Sequence, residues 1–163
     1  MRLDESGLII SYFHQSTPEH LELLGVDPTR LPTQEAWQNE YQIDFARPID
    51  QRRVLQLSWL SNDQPIGFST CNKIVYGDHA SMHLHILEPG RRQLGAGAEC
   101  VRQSIEIYFD RLKLRTLLCE PNAFNVSPNR TLQKAGFKYA KTHMTVPGPI
   151  NFHQAVTRWV IER

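Results

Sequence analysis

Two histidines, His83 and His85, stand one residue apart in the run Ser81-Met82-His83-Leu84-His85-Ile86-Leu87. In an extended chain successive side chains alternate between faces, so Met82, Leu84 and Ile86 share one side and His83, His85 and Leu87 the other. An imidazole titrates near pH 6.5 and can take or return a proton at neutral pH. Two on one face could instead ligate zinc or iron, with Glu120 or His143 completing the set. Directly afterwards comes Leu87-Glu88-Pro89-Gly90-Arg91-Arg92-Gln93-Leu94-Gly95-Ala96-Gly97, a turn whose glycines leave room for an anion, and then a helical run. A helix N-terminus offers about four unpaired N–H groups and roughly half a positive charge, which suits a phosphate. Two glycines can also serve only a tight turn, and no Lys-Ser or Lys-Thr follows Gly97 as a nucleotide P-loop requires.

The elements that hold these residues follow from patterning. Leu8 to Phe13 is apolar and rich in β-formers and reads as a first strand. Thr17-Pro18-Glu19 opens a short helix to Leu24 that Gly25 ends, and Thr33-Gln34-Glu35 opens another carrying Trp37 and Tyr41. Arg53 to Leu60 and Pro65 to Val75, joined by Ser61-Asn62-Asp63-Gln64, predict an antiparallel hairpin. Ser81 to Leu87 is the next strand. Ala98, Val101, Ile105, Tyr108 and Leu112 recur at three and four residues, the stripe of a helix lying on a sheet. Leu114 to Cys119 then predicts a buried strand parallel to the previous one, since a strand-helix-strand unit crosses over right-handed. Ser127-Pro128 reads as a helix start and Gly136 as its stop, and strands over 137–146 and 152–161 flank Pro147-Gly148-Pro149. The class expected is α/β: one domain over 1–163 with a mixed sheet of about seven strands, mostly antiparallel with a central parallel pair that splays, and helices on both faces.

Composition narrows the function. Eighteen Lys and Arg against 17 Asp and Glu give a formal net charge of +1, which argues against nucleic acid or an anionic membrane as partner. Cys71, Cys100 and Cys119 are odd in number and widely spaced in apolar stretches, as for reduced core thiols. The start has no signal-like apolar core and no run reaches the 18 or so residues of a span, so a cytoplasmic location is expected; a homodimer stays open.

Two separated pieces then match one pattern. Arg92-Gln93-Leu94-Gly95-Ala96-Gly97 has the form Arg/Gln-x-x-Gly-x-Gly/Ala, and Asn125-Val126-Ser127-Pro128-Asn129-Arg130-Thr131-Leu132-Gln133-Lys134-Ala135-Gly136-Phe137 is an Asn-led helix closing on Lys-x-Gly-Phe. In these motifs and in element order the chain resembles the GNAT acetyltransferase superfamily, and around Asn129-Arg130 and Leu132 it is similar to the ribosomal-protein alanine N-acetyltransferase type. The resemblance implies an acetyl-CoA-dependent N-acetyltransferase acting on a primary amine, in a small molecule or peptide, by direct attack in a ternary complex. It implies amides from Gln93, Leu94, Gly95, Ala96, Gly97 to Ala98 on the pyrophosphate, Arg92 as a phosphate contact, Ile86 and Leu87 against the pantetheine arm, and Asn125 on its other side. No metal is implied.

The same resemblance places His83 and His85 on the strand that delivers the acetyl group. His83, where the hydroxylysine acetyltransferases of siderophore synthesis also carry a histidine, is the expected base, and His85 is its second or its orienting partner. An amine of pKa near 10.4 must lose a proton at pH 7, about 4 to 5 kcal/mol, so a base is useful. A backbone N–H of Leu87 or its neighbour is expected to hold the oxyanion. The family's usual tyrosine acid is absent, because Leu132 occupies its place; Tyr139, Tyr108 or water are the substitutes, and Ser127 is expected only to cap its helix. The acceptor pocket is expected from the Tyr76–Ala80 loop, the helices near Trp37 and the 147–151 turn. Competing readings are a noncatalytic acyl-CoA sensor and a His-ligated metal enzyme.

Overall fold

The computed structural model describes residues 1–87 and 96–163, apart from the side chains of Asp4 and Ala96. Helices α1 (Gly7–His14), α2 (Pro18–Leu24) and α3 (Gln34–Phe45) precede a hairpin of β1 (Leu55–Ser61) and β2 (Gln64–Val75). Strand β3 (His79–Ile86), helix α4 (Ala96–Leu112), strand β4 (Thr116–Cys119), helix α5 (Val126–Ala135) and strands β5 (Lys138–Thr145) and β6 (Gln154–Glu162) complete the chain. Among the described residues the sheet has six strands in the order β1-β2-β3-β4-β6-β5. Only β3 and β4 are parallel; the other neighbours are antiparallel.

The strand count falls one short of expectation because Leu8 to Phe13 is helix α1, not a strand. A short apolar run does not reveal its period, and packing decided it. Ile9, Ile10 and Phe13 bury one helical face, and Phe13 stacks on Trp37 of α3 with ring centres 5.6 Å apart. The β-propensity of this run yields to that tertiary contact. The hairpin formed as expected, with Asn62 and Asp63 at φ 50 and 60, the left-handed pair of a two-residue turn.

The sheet carries helices on both faces. One core sets Val101, Ile105, Tyr108 and Leu112 of α4 and Leu132 of α5 against Met82, Leu117 and Trp159. A hydroxyl chain crosses it: Trp59 Nε1 donates to Ser104 Oγ (2.9 Å), and Ser69 Oγ lies 3.2 Å from Ser104 Oγ and 2.8 Å from the Tyr108 hydroxyl. The second core, on the other face, gathers Ile9, Phe13, Leu21, Val26, Trp37, Tyr41 and Phe68. Cys71 and Cys119 are buried free thiols, their pKa values pushed up by burial. No helix among the described residues is long and apolar enough to cross a membrane.

Candidate active site

The sheet opens where its two parallel strands part. Pairing of β3 with β4 runs from His79 opposite Thr116 to Met82 opposite Cys119, where β4 ends. Strand β3 continues to Ile86 on β2, with Thr70 opposite His83 and Gly67 opposite Ile86. The Leu87 N–H donates to the Ile66 carbonyl at 3.0 Å, which sets the parity. Odd-numbered residues of this stretch turn their peptide groups to β2, and Leu84 and Ile86 turn theirs toward the side that β4 has left. The expected oxyanion donor is corrected accordingly: the Leu87 amide is engaged, and its neighbour Ile86, with Leu84, faces the gap. The opening holds a cavity of about 110 Å³ bordered by Leu84, Ile86, Glu120, Asn125, Ser127 and Thr131.

The histidines sit at the inner end of this gap. His83 and His85 border it and also border a second cavity, about 600 Å³, between β2, β3 and the α1–α3 layer. Asn72 Oδ1 lies 3.1 Å from His83 Nε2. A carbonyl oxygen only accepts, so Nε2 carries the hydrogen and Nδ1 keeps its lone pair. Strand β2 aims Asn72 there through a bulge between Asn72 and Val75 in which Lys73 takes φ 49. Burial, helped by the Lys73 ammonium and opposed by Glu120, pushes the His83 pKa down to about 4. The ring is therefore neutral at pH 7. His85 is clasped by aromatics, stacked on Phe68 at 4.8 Å and edge-on to Phe13 at 5.2 Å.

The segment from residue 9 to residue 138 matches the family model described as acetyltransferase (GNAT) domain. The chain belongs to the GNAT acetyltransferase family. No curated protein matches it in sequence. Solved structures share its fold: an aminoglycoside acetyltransferase in complex with coenzyme A (16% identity, 100% of this chain and 92% of that one, TM-score 0.73), a ribosomal-protein alpha-N acetyltransferase in complex with coenzyme A (13%, 99% and 90%, 0.75), and a mutant spermidine N-acetyltransferase from Vibrio cholerae (11%, 99% and 92%, 0.72).

In this GNAT fold the remaining expected residues fall into three groups. Arg92, Gln93, Leu94 and Gly95 lie outside the described residues. Gly97, in the first turn of α4, is set so close to the end of β3 that a Cβ there would stand 3.1 Å from Ile86 Cδ1; Ala98 is half-buried one residue on. Asn125 is the N-cap residue of α5 and borders the gap, its amide reaching Leu23 O at 3.4 Å. Leu87 packs instead with the α1–α3 core.

Several expectations change. Ser127 is not the cap of its helix: Asn125 holds that position and Ser127 is one residue inside α5. The helix start is tied down by Asn129, whose Nδ2 donates to Asn122 O (3.0 Å) and Asn125 O (2.7 Å) while Oδ1 accepts from Trp159 Nε1 at 2.7 Å. Among the substitutes for the acid, Tyr108 is fully buried in the α4 core and Tyr139 is 60% exposed on β5; neither borders the gap. The Tyr76–Ala80 loop closes the far end of β3, about 20 Å from Ile86 at 3.3 Å per residue, and does not border the second cavity, whereas Trp37 and Gly148 to Asn151 do.

The group missed in the sequence is Tyr12 with His20. The hydroxyl lies 2.7 Å from His20 Nε2, both border the gap, and the Tyr12 ring is 5.1 Å from His85. Reading α1 as a strand hid it; a helix there puts Tyr12 and the start of α2 side by side. Glu120, at the mouth of the gap, accepts from Arg158 Nε at 2.7 Å and lies 3.4 Å from His143 Nε2. Among the described residues no three His, Cys, Asp or Glu side chains are grouped so as to hold a metal ion.

Proposed function

We propose that this acetyltransferase moves the acetyl group of acetyl-CoA to a primary amine by direct attack, with the cofactor in the β3/β4 gap and the acceptor in the larger cavity. The observation that carries this reading is that the two cavities meet at His83 and His85. A reaction joining two substrates needs such a shared wall. Acetyl-CoA supplies the activated acetyl group when bound. The peptide groups of Leu84 and Ile86, turned to the gap, fit an amide-bearing arm lying along β3, and Asn125 and Gly97 flank it.

His83 Nδ1 is the acceptor for the amine proton. Its low basicity means that it does not strip an ammonium ion, a transfer uphill by about 6 pKa units or about 8 kcal/mol. It takes the proton as attack proceeds, when the nitrogen becomes acidic. One of the two N–H groups of Leu84 and Ile86, which lie too far apart along the strand to share one oxygen, would hold the developing oxyanion. Tyr12 Oη, backed by His20, is the proton donor for the leaving sulfur, in place of the tyrosine that Leu132 replaces.

The buried Leu132 favours a second reading, a noncatalytic acyl-CoA sensor. A screen of acetyl-CoA consumption across amine classes, with His83→Ala beside wild type, decides between them. Release of free thiol with acetylated amine supports the enzyme; coenzyme A binding without transfer to any amine supports the sensor.

A further inference from the structure

The acceptor cavity has a composition that restricts what it can take. At about 600 Å³ it matches the sites that enclose a whole small molecule. Phe13, Trp37, Tyr41 and Phe68 line it beside aliphatic residues such as Ile9 and Val26, with Phe13 stacked on Trp37 and Trp37 6.2 Å from Tyr41, so it presents an aromatic cluster within an apolar wall. Polar groups at the inner end are Thr70, Asn72, His83 and His85, of which His83 is neutral at pH 7.

Among the described residues four charged side chains border it: Glu40, Asp44, Arg47 and Arg53. Asp44 is already committed. It is 7% exposed, accepts the Arg53 N–H at 2.9 Å and the Val54 N–H at 3.2 Å, and faces Arg47 Nε at 3.9 Å. That leaves one carboxylate, the solvated Glu40, against the Arg53 guanidinium, which makes no ion pair or side-chain hydrogen bond among the described residues, and the half-engaged Arg47. A polyamine or an aminoglycoside brings several ammonium groups and needs several uncommitted carboxylates to replace their hydration. This cavity has too few. It offers instead an uncharged proton acceptor at one end, an aromatic cluster, and guanidinium groups suited to bidentate capture of an anion.

We infer that the acceptor is a small primary amine with a ring-sized apolar body that ends in an acidic group, either a carboxylate or a phosphate. The inference rests on the acetyltransferase reading above. The amine lies toward His83, the apolar body against Phe13 and Trp37, and the anion toward Arg53 and Arg47.

The test is steady-state transfer at saturating acetyl-CoA to a matched panel: phenylethylamine, phenylethylamine bearing a ring carboxylate, phenylethylamine bearing a ring phosphate, spermidine and kanamycin. Coenzyme A binding is followed separately by thermal shift. The expected result is a kcat/KM at least tenfold higher for the acid-bearing aromatic amines than for phenylethylamine, with spermidine and kanamycin lowest; the carboxylate and phosphate members show which acid is taken. Arg53→Glu should raise KM for the acidic acceptors at least tenfold and leave KM for acetyl-CoA unchanged, because Asp44 binds the backbone at this position and not the side chain. Arg47→Gln should act in the same direction more weakly. Preference for spermidine or kanamycin with coenzyme A binding intact, or an acid preference untouched by Arg53→Glu, overturns the inference and leaves the acetyltransferase reading standing. Absence of both turnover and coenzyme A binding overturns the two together.

Discussion

At the residue scale the neutral state of His83 has consequences for both activity and stability. Because the ring is unprotonated from about pH 5 upward, kcat/KM should rise with pH along the acceptor amine's own titration rather than that of a histidine. His83→Gln should lower kcat by roughly 10²-fold at every pH while KM for acetyl-CoA stays put, and pH profiles of both proteins check this. An acidic limb near pH 6.5 that vanishes in the variant would contradict the neutral ring. For stability the sign is fixed by the folded pKa lying below the unfolded 6.5. The unfolded chain binds the extra proton between these values, so the contribution is complete above pH 6.5 and is lost as pH falls toward 4, at most about 3 kcal/mol. Chemical denaturation at pH 5 and pH 7.5 should show a smaller difference in His83→Gln than in wild type. Tyr12→Phe removes only the hydroxyl from an intact ring cluster. It should lower kcat tenfold or more with acceptor KM little changed, measured by thiol release; unchanged kcat would leave the leaving sulfur to solvent.

At the element scale the site depends on two strands parting and two helix starts converging on the gap. Gly97 lets the first turn of α4 approach β3, and Gly97→Val would push a branched side chain against Ile86, 3.1 Å from where its Cβ begins. The expected outcome is a loss of about 1 to 3 kcal/mol in stability together with weaker coenzyme A stabilisation in a thermal shift. Gly25, at φ 71 against the Gln154 amide, joins α2 to the start of β6, where Gln154 Nε2 donates to Gly25 O at 2.8 Å. Both the hairpin and the α4 stripe were legible because their signals are local: a two-residue turn with Asn62-Asp63, and apolar residues at helical spacing. Helix α1 was not, since Leu8 to Phe13 has strand-forming residues and only Trp37 and Phe68, distant in sequence, make its helical face the buried one. The α5 start was misplaced by two residues for a similar reason: Asn129 secures it from inside the helix, through Trp159.

At the scale of the whole molecule, the chain is a GNAT acetyltransferase whose six-stranded sheet divides two layers, α4 and α5 on one face and α1 to α3 on the other. The motif pieces were enough to name the family, and strand alternation put both histidines on one face, which in the fold is the side of the α1–α3 layer. What sequence alone left open was how the layers meet. The Tyr12–His20 pair, the arginines beside the aromatic cleft, and the turning of Leu87 toward β2 are all tertiary facts. A ligand that binds only the folded state adds RT ln(1 + [L]/Kd), so coenzyme A at a hundredfold its Kd should stabilise the protein by about 2.7 kcal/mol, and this gain should be missing when the gap is blocked. The most direct measurement is single-turnover transfer from acetyl-CoA to an acid-bearing aromatic amine, following acetylated product by mass spectrometry and free thiol together. The expected result is one acetylated amine for each thiol released, slowed in His83→Gln and Tyr12→Phe. Tight coenzyme A binding with neither thiol nor acetylated amine formed, from this or any other amine class, would contradict it.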